Sequence, residues 1–203
     1  LDHPRFVGQD AVVVEVGRFA EALLPRVGAV ATADIFGRAG LLPYLDHPPG
    51  QMVDETEVRR LHGALRATVG EVTAQGLARE AGTLTARYLL AHRIPAPVQA
   101  LLKLLPARLA ARVLLAAITR NAWTFVGSGR FSATRPGPGA RGVDLAIRGN
   151  PLCKGVQAAE PGCDFVCALL ERLFTVLVHP ACRVVETDCE SCGAPACRFE
   201  VRR

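Results

Sequence analysis

Residues 186–203 read ETDCESCGAPACRFEVRR, and this stretch decides the architecture of the chain. Two runs of alternating polar and apolar residues, CRVVETDC and ACRFEVRR, flank ESCGAP, so the segment predicts an antiparallel hairpin closed by a turn of small residues. Glu186, Cys189, Cys192 and Cys197 all fall within it. Cys153, Cys163, Cys167 and Cys182 lie a short way upstream, so all seven cysteines of the 203-residue chain sit in its last quarter. Free cysteine behaves as a small hydrophobe, and packing alone would scatter it through the core. The clustering asks for a chemical role.

Working outward, residues 163–178 place Phe165, Val166, Leu169, Leu170, Leu173, Phe174 and Leu177 at helical spacing. Residues 130–135 and 143–148 alternate around PGPGARG, which predicts two more paired strands. Everything before Gly127 reads as helix. Two short helices fill the first forty residues, a proline-rich loop spans Leu42 to Gly50, and Asp54 opens a helix with Glu55 and Glu57 in its first turn. A further helix from Glu71 to His92 presents Val72, Leu77, Ala81, Leu84, Tyr88 and Leu89. Residues 98–105 make a short amphipathic piece. From Pro106 to about Val126 a last helix is expected to turn Leu109, Val113, Leu114, Ile118 and Ala122 inward and to be buried on more than one side.

Helices followed by a hairpin, a helix and a second hairpin predict an α+β domain, with an antiparallel sheet of about four strands covered by helices. The division expected is an N-terminal helical extension, residues 1–53, and one ligand-binding domain, residues 54–203. Half the residues are apolar and 21% charged, a globular profile. The most apolar region, 98–125, is interrupted by Lys103, Pro106, Arg108, Arg112 and Arg120, so no transmembrane segment is expected. Nothing at the start resembles a signal peptide, and an odd cysteine count without one favours reduced thiols in a cytosol over a disulfide framework. A net charge of +5 is spread over solvated helix faces, with anionic lipid or a carboxylate ligand as weaker readings. Sparse aromatic residues and the lack of a basic and aromatic platform argue against nucleic acid.

Thiolate, imidazole and carboxylate ligands in tetrahedral array make zinc sites. Cys163 at a helix start, Glu186 and Cys189 on an outgoing strand and Cys197 on the return fit that description. Cys192 competes, because Cys189 and Cys192 form a C-x-x-C pair, and burial of ordinary thiols is the competing explanation for the whole set. Cys167, on an apolar helix face, and Cys182, opening a strand, are expected to be buried thiols.

The pattern E-x-x-C-x-x-x-G-x-x-x-C-x-F, here Glu186, Cys189, Gly193, Cys197 and Phe199, resembles the C-terminal signature of the vinyl-4-reductase domain family, over roughly residues 60–203. That family includes aromatic-sensing bacterial regulators and is related in fold to Golgi vesicle-tethering subunits. The resemblance implies a structural zinc held by Cys163, Glu186, Cys189 and Cys197, with Cys192 outside the set. Its phototrophic branch implies a tetrapyrrole ligand, such as Mg-protoporphyrin or a protochlorophyllide-like intermediate, passed between bacteriochlorophyll-pathway enzymes near the photosynthetic membrane.

A vinyl reduction needs an electron source, yet no nicotinamide, flavin or iron–sulfur motif is visible. A carrier therefore leads, with a reductase or reductase subunit and a helical homodimerisation module as alternatives. His62 and His92 are candidate axial ligands to a Mg-tetrapyrrole, though each also reads as an ordinary helix-face histidine. Tyr88, Trp123, Phe125 and Phe131 are candidate pocket linings that the core would equally claim.

Overall fold

A computed structural model describes residues 11–49, 53–134 and 142–203, without the side chains of residues 11–15, 123 and 124. Eight helices precede, interrupt and cover a four-stranded sheet among those residues: α1 (Ala11–Arg38), α2 (Pro43–Asp46), α3 (Glu55–Val69), α4 (Glu71–His92), α5 (Ala96–Leu104), α6 (Ala107–Asn121), α7 (Trp123–Val126), β1 (Arg130–Ala133), β2 (Gly142–Arg148), α8 (Asp164–Leu177), β3 (Arg183–Asp188) and β4 (Cys197–Arg202). The expected α+β architecture is the one observed.

All strand pairs are antiparallel, in the order β1-β2-β4-β3. Alternation puts Phe131, Val143, Leu145, Ile147, Val184, Cys197, Phe199 and Val201 on the buried face. The opposite face is uncovered and carries Arg130, Arg148, Arg183, Arg198 and Arg202. The turn expected between β1 and β2 lies outside the described residues.

Helix α8 is buried round most of its circumference because it lies between α4 and the sheet. Its approach to α4 is fixed by Gly82, where a Cβ would stand 2.2 Å from the Phe165 carbonyl oxygen. Small residues line the rest of that contact on α4, namely Ala74, Ala78, Ala81 and Ala86, and Val72 points to solvent. Helix α1, kinked at Gly28, buries Val16, Phe19, Leu23, Ile35 and Phe36 in the same core as α3 and α4. Asp54 caps α3 by accepting from the Thr56 amide at 2.7 Å, a contact worth about 1 kcal/mol.

Two expectations for the helical layer need correction. The proline-rich loop contains the single turn α2. Helix α6 is buried on one side, through Ala110, Ala111, Leu114, Leu115 and Ile118, whereas Leu109 and Val113 face outward. Alanine takes the inner face there, which leaves the larger side chains outside.

Candidate functional site

Four sulfurs meet where the sheet, the start of α8 and two short turns converge. Asn150 opens a 3₁₀ turn, Pro151–Cys153, its Oδ1 accepting from the Leu152 amide at 3.1 Å, and the turn delivers Cys153. Cys163 is the residue that caps α8. Cys189 follows β3, where an irregularity between Glu186 and Asp188 ends regular pairing, and begins the turn Glu190–Cys192. That turn closes with Ala194 N–H donating to the Cys189 carbonyl at 3.2 Å and with Gly193 left-handed at φ 88°, a conformation that favours glycine. Cys197 is the first residue of β4.

The Sγ atoms of Cys153, Cys163, Cys189 and Cys197 lie 3.5–3.9 Å apart along all six edges. A tetrahedron of thiolates about 2.3 Å from one ion has edges of about 3.8 Å, so the set fits a single metal ion. A disulfide, at about 2.05 Å, is not formed in any pair. An iron–sulfide cluster, which interposes its own core, would hold four cysteines further apart.

Polar groups around the sulfurs are arranged for thiolates. Asn150 Nδ2 donates to Cys163 Sγ and to Cys197 Sγ, both at 3.4 Å, the Glu190 amide donates to Cys197 Sγ at 3.5 Å, and Ser191 Oγ lies 3.0 Å from Cys189 Sγ. The Glu190 carboxylate accepts from the amides of Gly149 and Asn150, both at 2.7 Å, and so ties the two turns together. Contacts from Cys153, Cys163 and Cys197 hold the Cys189 thiol far below its usual range, while contacts from Cys153 and then Cys189 and Cys197 push Cys163 well above its own. Four packed sulfurs cannot all ionise unless a cation shares their charge.

Glu186 stands beside this group and outside the four. Its Oε2 accepts from the Cys163 amide at 2.8 Å, and Oε1 is buried with no hydrogen-bond partner. Burial pushes its carboxyl up to about 8, against the Cys163 hydrogen bonds. Three of the four sequence candidates, Cys163, Cys189 and Cys197, are thus brought together, and the fourth sulfur, Cys153, comes from a turn the spacing did not single out. The Asn150-Pro151 pair was its only local signal, marking a turn start. Cys167 is buried and pushed up to about 12 by desolvation, Cys182 is buried, and Cys192 is exposed.

The candidate pocket residues occupy separate places. His62 is buried with its ring 4.8 Å from that of Phe19 and 6.2 Å from that of Phe165. Tyr88 and His92 lie against each other at 4.6 Å on the outer part of α4. Phe125 and Phe131 meet edge to face at 5.7 Å, and the Trp123 side chain lies outside the described residues. Phe125 also lines a cavity of about 420 Å³ with Val58, Leu152, Phe165 and Val166, whose mouth holds Asp54, Glu55 and Ser128. A second concavity of about 520 Å³ lies at the end of the sheet. Its floor is Ala111, Val143, Phe174, Val178 and Val201, and its rim carries Arg108, Arg202, Arg203 and His179.

The sheet and the cysteine centre define a vinyl-4-reductase domain, whose family model matches residues 143–203. The chain belongs to the family of the bacteriochlorophyll synthase 23 kDa chain. It is 46% identical to that protein of Cereibacter sphaeroides over 76% of this chain and 72% of the relative, and 38% identical to that of Rhodobacter capsulatus over 98% and 87%. Among solved structures, its fold resembles the phenol-responsive sensory domain of the transcription activator PoxR, with a TM-score of 0.56 at 16% identity over 76% of this chain and 78% of that one. It also resembles an H-NOX protein studied for heme distortion, with a TM-score of 0.60 at 15% identity over 94% of both chains. At these identities the likeness is one of fold.

Proposed function

We propose that the chain is a carrier or assembly factor for a tetrapyrrole intermediate of bacteriochlorophyll biosynthesis, with a structural zinc ion held by Cys153, Cys163, Cys189 and Cys197. Its membership of the 23 kDa chain family supports the pathway. The observation that carries the ligand class is the concavity at the sheet end. An apolar floor under three arginines suits a flat apolar ring system that bears carboxylates, because guanidinium pairs with carboxylate in a planar fork. The cavity beside Phe125 has acids at its mouth and lacks that complementarity.

His179 adds a polar contact of definite kind. Its Nδ1 accepts from the Ala181 amide at 3.1 Å, so Nε2 carries the proton and donates. It serves a carboxylate at the rim and is not an axial ligand to magnesium in this tautomer. Zinc would supply charge neutralisation and cross-linking only, since four protein sulfurs leave no open coordination position.

Absorbance titration with Mg-protoporphyrin tests the proposal. A shifted Soret band saturating at micromolar protein is expected, and Arg108→Glu combined with Arg203→Glu weakens binding about tenfold or more. A wild-type chain that leaves the spectrum unchanged overturns the carrier reading, and turnover of a divinyl substrate by purified protein with NADPH would replace it with the reductase.

A further inference from the structure

We infer that the outer faces of α5 and α6 are a docking surface for an anionic lipid bilayer, lying in the plane of the headgroups. On α5, Val98, Leu101 and Leu104 fall at i, i+3 and i+6 along one stripe and are 43%, 58% and 84% exposed, while Leu102 is the one buried residue of that helix. On α6, Leu109 and Val113 stand one turn apart, 44% and 43% exposed. Five large aliphatic side chains on two consecutive helices are thus left uncovered, although the inner faces of both helices are already packed. Isolated exposed leucines are ordinary, whereas a clustered face asks for an occupant.

Charge selects the occupant. From residue 81 to residue 143 the chain contains eight arginines and one lysine and no Asp or Glu. Lys103 and Arg108 rise from the same two helices as the exposed leucines, and their stems lengthen the apolar surface while their heads reach outward. A second copy of the chain would oppose cations to cations across a two-fold axis, without an acid in this stretch to pair with them. Nucleic acid would meet aliphatic side chains where it needs stacking rings. An acidic lipid surface satisfies both features, aliphatic residues entering the acyl boundary and cations meeting headgroups. Neither helix is long and apolar enough to cross a membrane, which leaves the in-plane orientation.

This assignment is independent of the pigment, so its test uses none. The full chain is sedimented with vesicles of phosphatidylcholine alone and with vesicles of equimolar phosphatidylcholine and phosphatidylglycerol. Binding to the anionic vesicles is expected, at least about tenfold stronger than to the neutral ones and reduced by added salt. Leu101→Glu with Leu104→Glu abolishes it while the circular dichroism spectrum and metal content stay unchanged, and Lys103→Glu weakens it while Lys103→Arg restores it. Equal binding to both vesicle types, or binding to neither, overturns the assignment. A wild-type dimer that the leucine variant dissociates, with no sedimentation on vesicles, gives the face to a second copy instead.

Discussion

Asn150 Nδ2 points at Cys197 Sγ from 3.4 Å, inside a site where Asn150 itself is almost wholly buried. The same amide reaches Cys163 at the same distance, so one side chain spans two sulfurs from different elements. A buried amide held this way lowers the cost of thiolate charge and fixes ligand orientation. Asn150→Ala is expected to weaken zinc binding about 10- to 100-fold in competition with a chromophoric chelator. Asn150→Asp, which sets a carboxylate against the sulfurs, is expected to weaken it further.

The roles of Cys153 and Glu186 separate cleanly in metal analysis of purified variants. With the four sulfurs as ligands, Cys153→Ser and Cys163→Ser lose the ion and unfold more readily, and Glu186→Gln retains it at one per chain. Loss in Glu186→Gln with retention in Cys153→Ser would return the carboxylate to the ligand set. Glu186→Gln keeps the shape of the side chain, so the comparison reads coordination and not a cavity.

Gly82 sets the separation of α4 and α8. A methyl group there meets the Phe165 carbonyl oxygen and, at 3.2 Å, the Leu169 amide nitrogen, both backbone atoms that cannot swing aside. Gly82→Ala is expected to destabilise the fold by about 2 kcal/mol despite the better helix propensity of alanine, read as a lower urea midpoint. Gly76→Ala, in open space on the same helix, serves as the control and is expected to be neutral or stabilising.

Glu55 joins three segments, accepting from the Ser128 amide at 2.8 Å, from Ser128 Oγ at 2.9 Å and from Lys154 Nζ at 2.9 Å. The Lys154 hydrogen bond, followed by the Ser128 amide, holds its carboxyl below the usual range. A depressed folded-state value means that the unfolded chain binds more protons, so this contribution is present above the ordinary glutamate range and is lost as pH falls through the lower folded value. Partial exposure limits it to about 1 kcal/mol. Glu55→Gln is expected to reduce stability at neutral pH and to match wild type once the medium is acid enough to protonate Glu55 in the fold, as followed by urea denaturation across pH.

The sheet was legible because its signals are local. Residues 143–148 and 197–202 alternate strictly, and burial follows that alternation at Val143, Leu145, Ile147, Cys197, Phe199 and Val201. Cys163, Cys189 and Cys197 stood out by spacing, but Cys153 reaches them through Asn150 and Glu190, contacts between segments about forty residues apart in sequence. No window of sequence contains such a contact. Helix α6 misled for a different reason. Weighing residues by hydrophobicity sends Leu109 and Val113 inward, whereas Ala110 and Ala111 are the ones buried. Pocket residues were least legible, because a buried ring such as His62 satisfies the core and a binding site by the same pattern.

The bare face of the sheet has a consequence for its edges. Two of its registers place like charges directly opposite, Arg130 against Arg148 and Arg183 against Arg202, and each pair joins an edge strand to an inner one. Opposed guanidinium groups repel, and only Arg202 is partly neutralised, by Glu200 at 2.6 Å. Dilute buffer therefore loosens β1 and β3 first, and dissolved ions, by shielding those pairs, tighten the margins of the sheet without touching its centre.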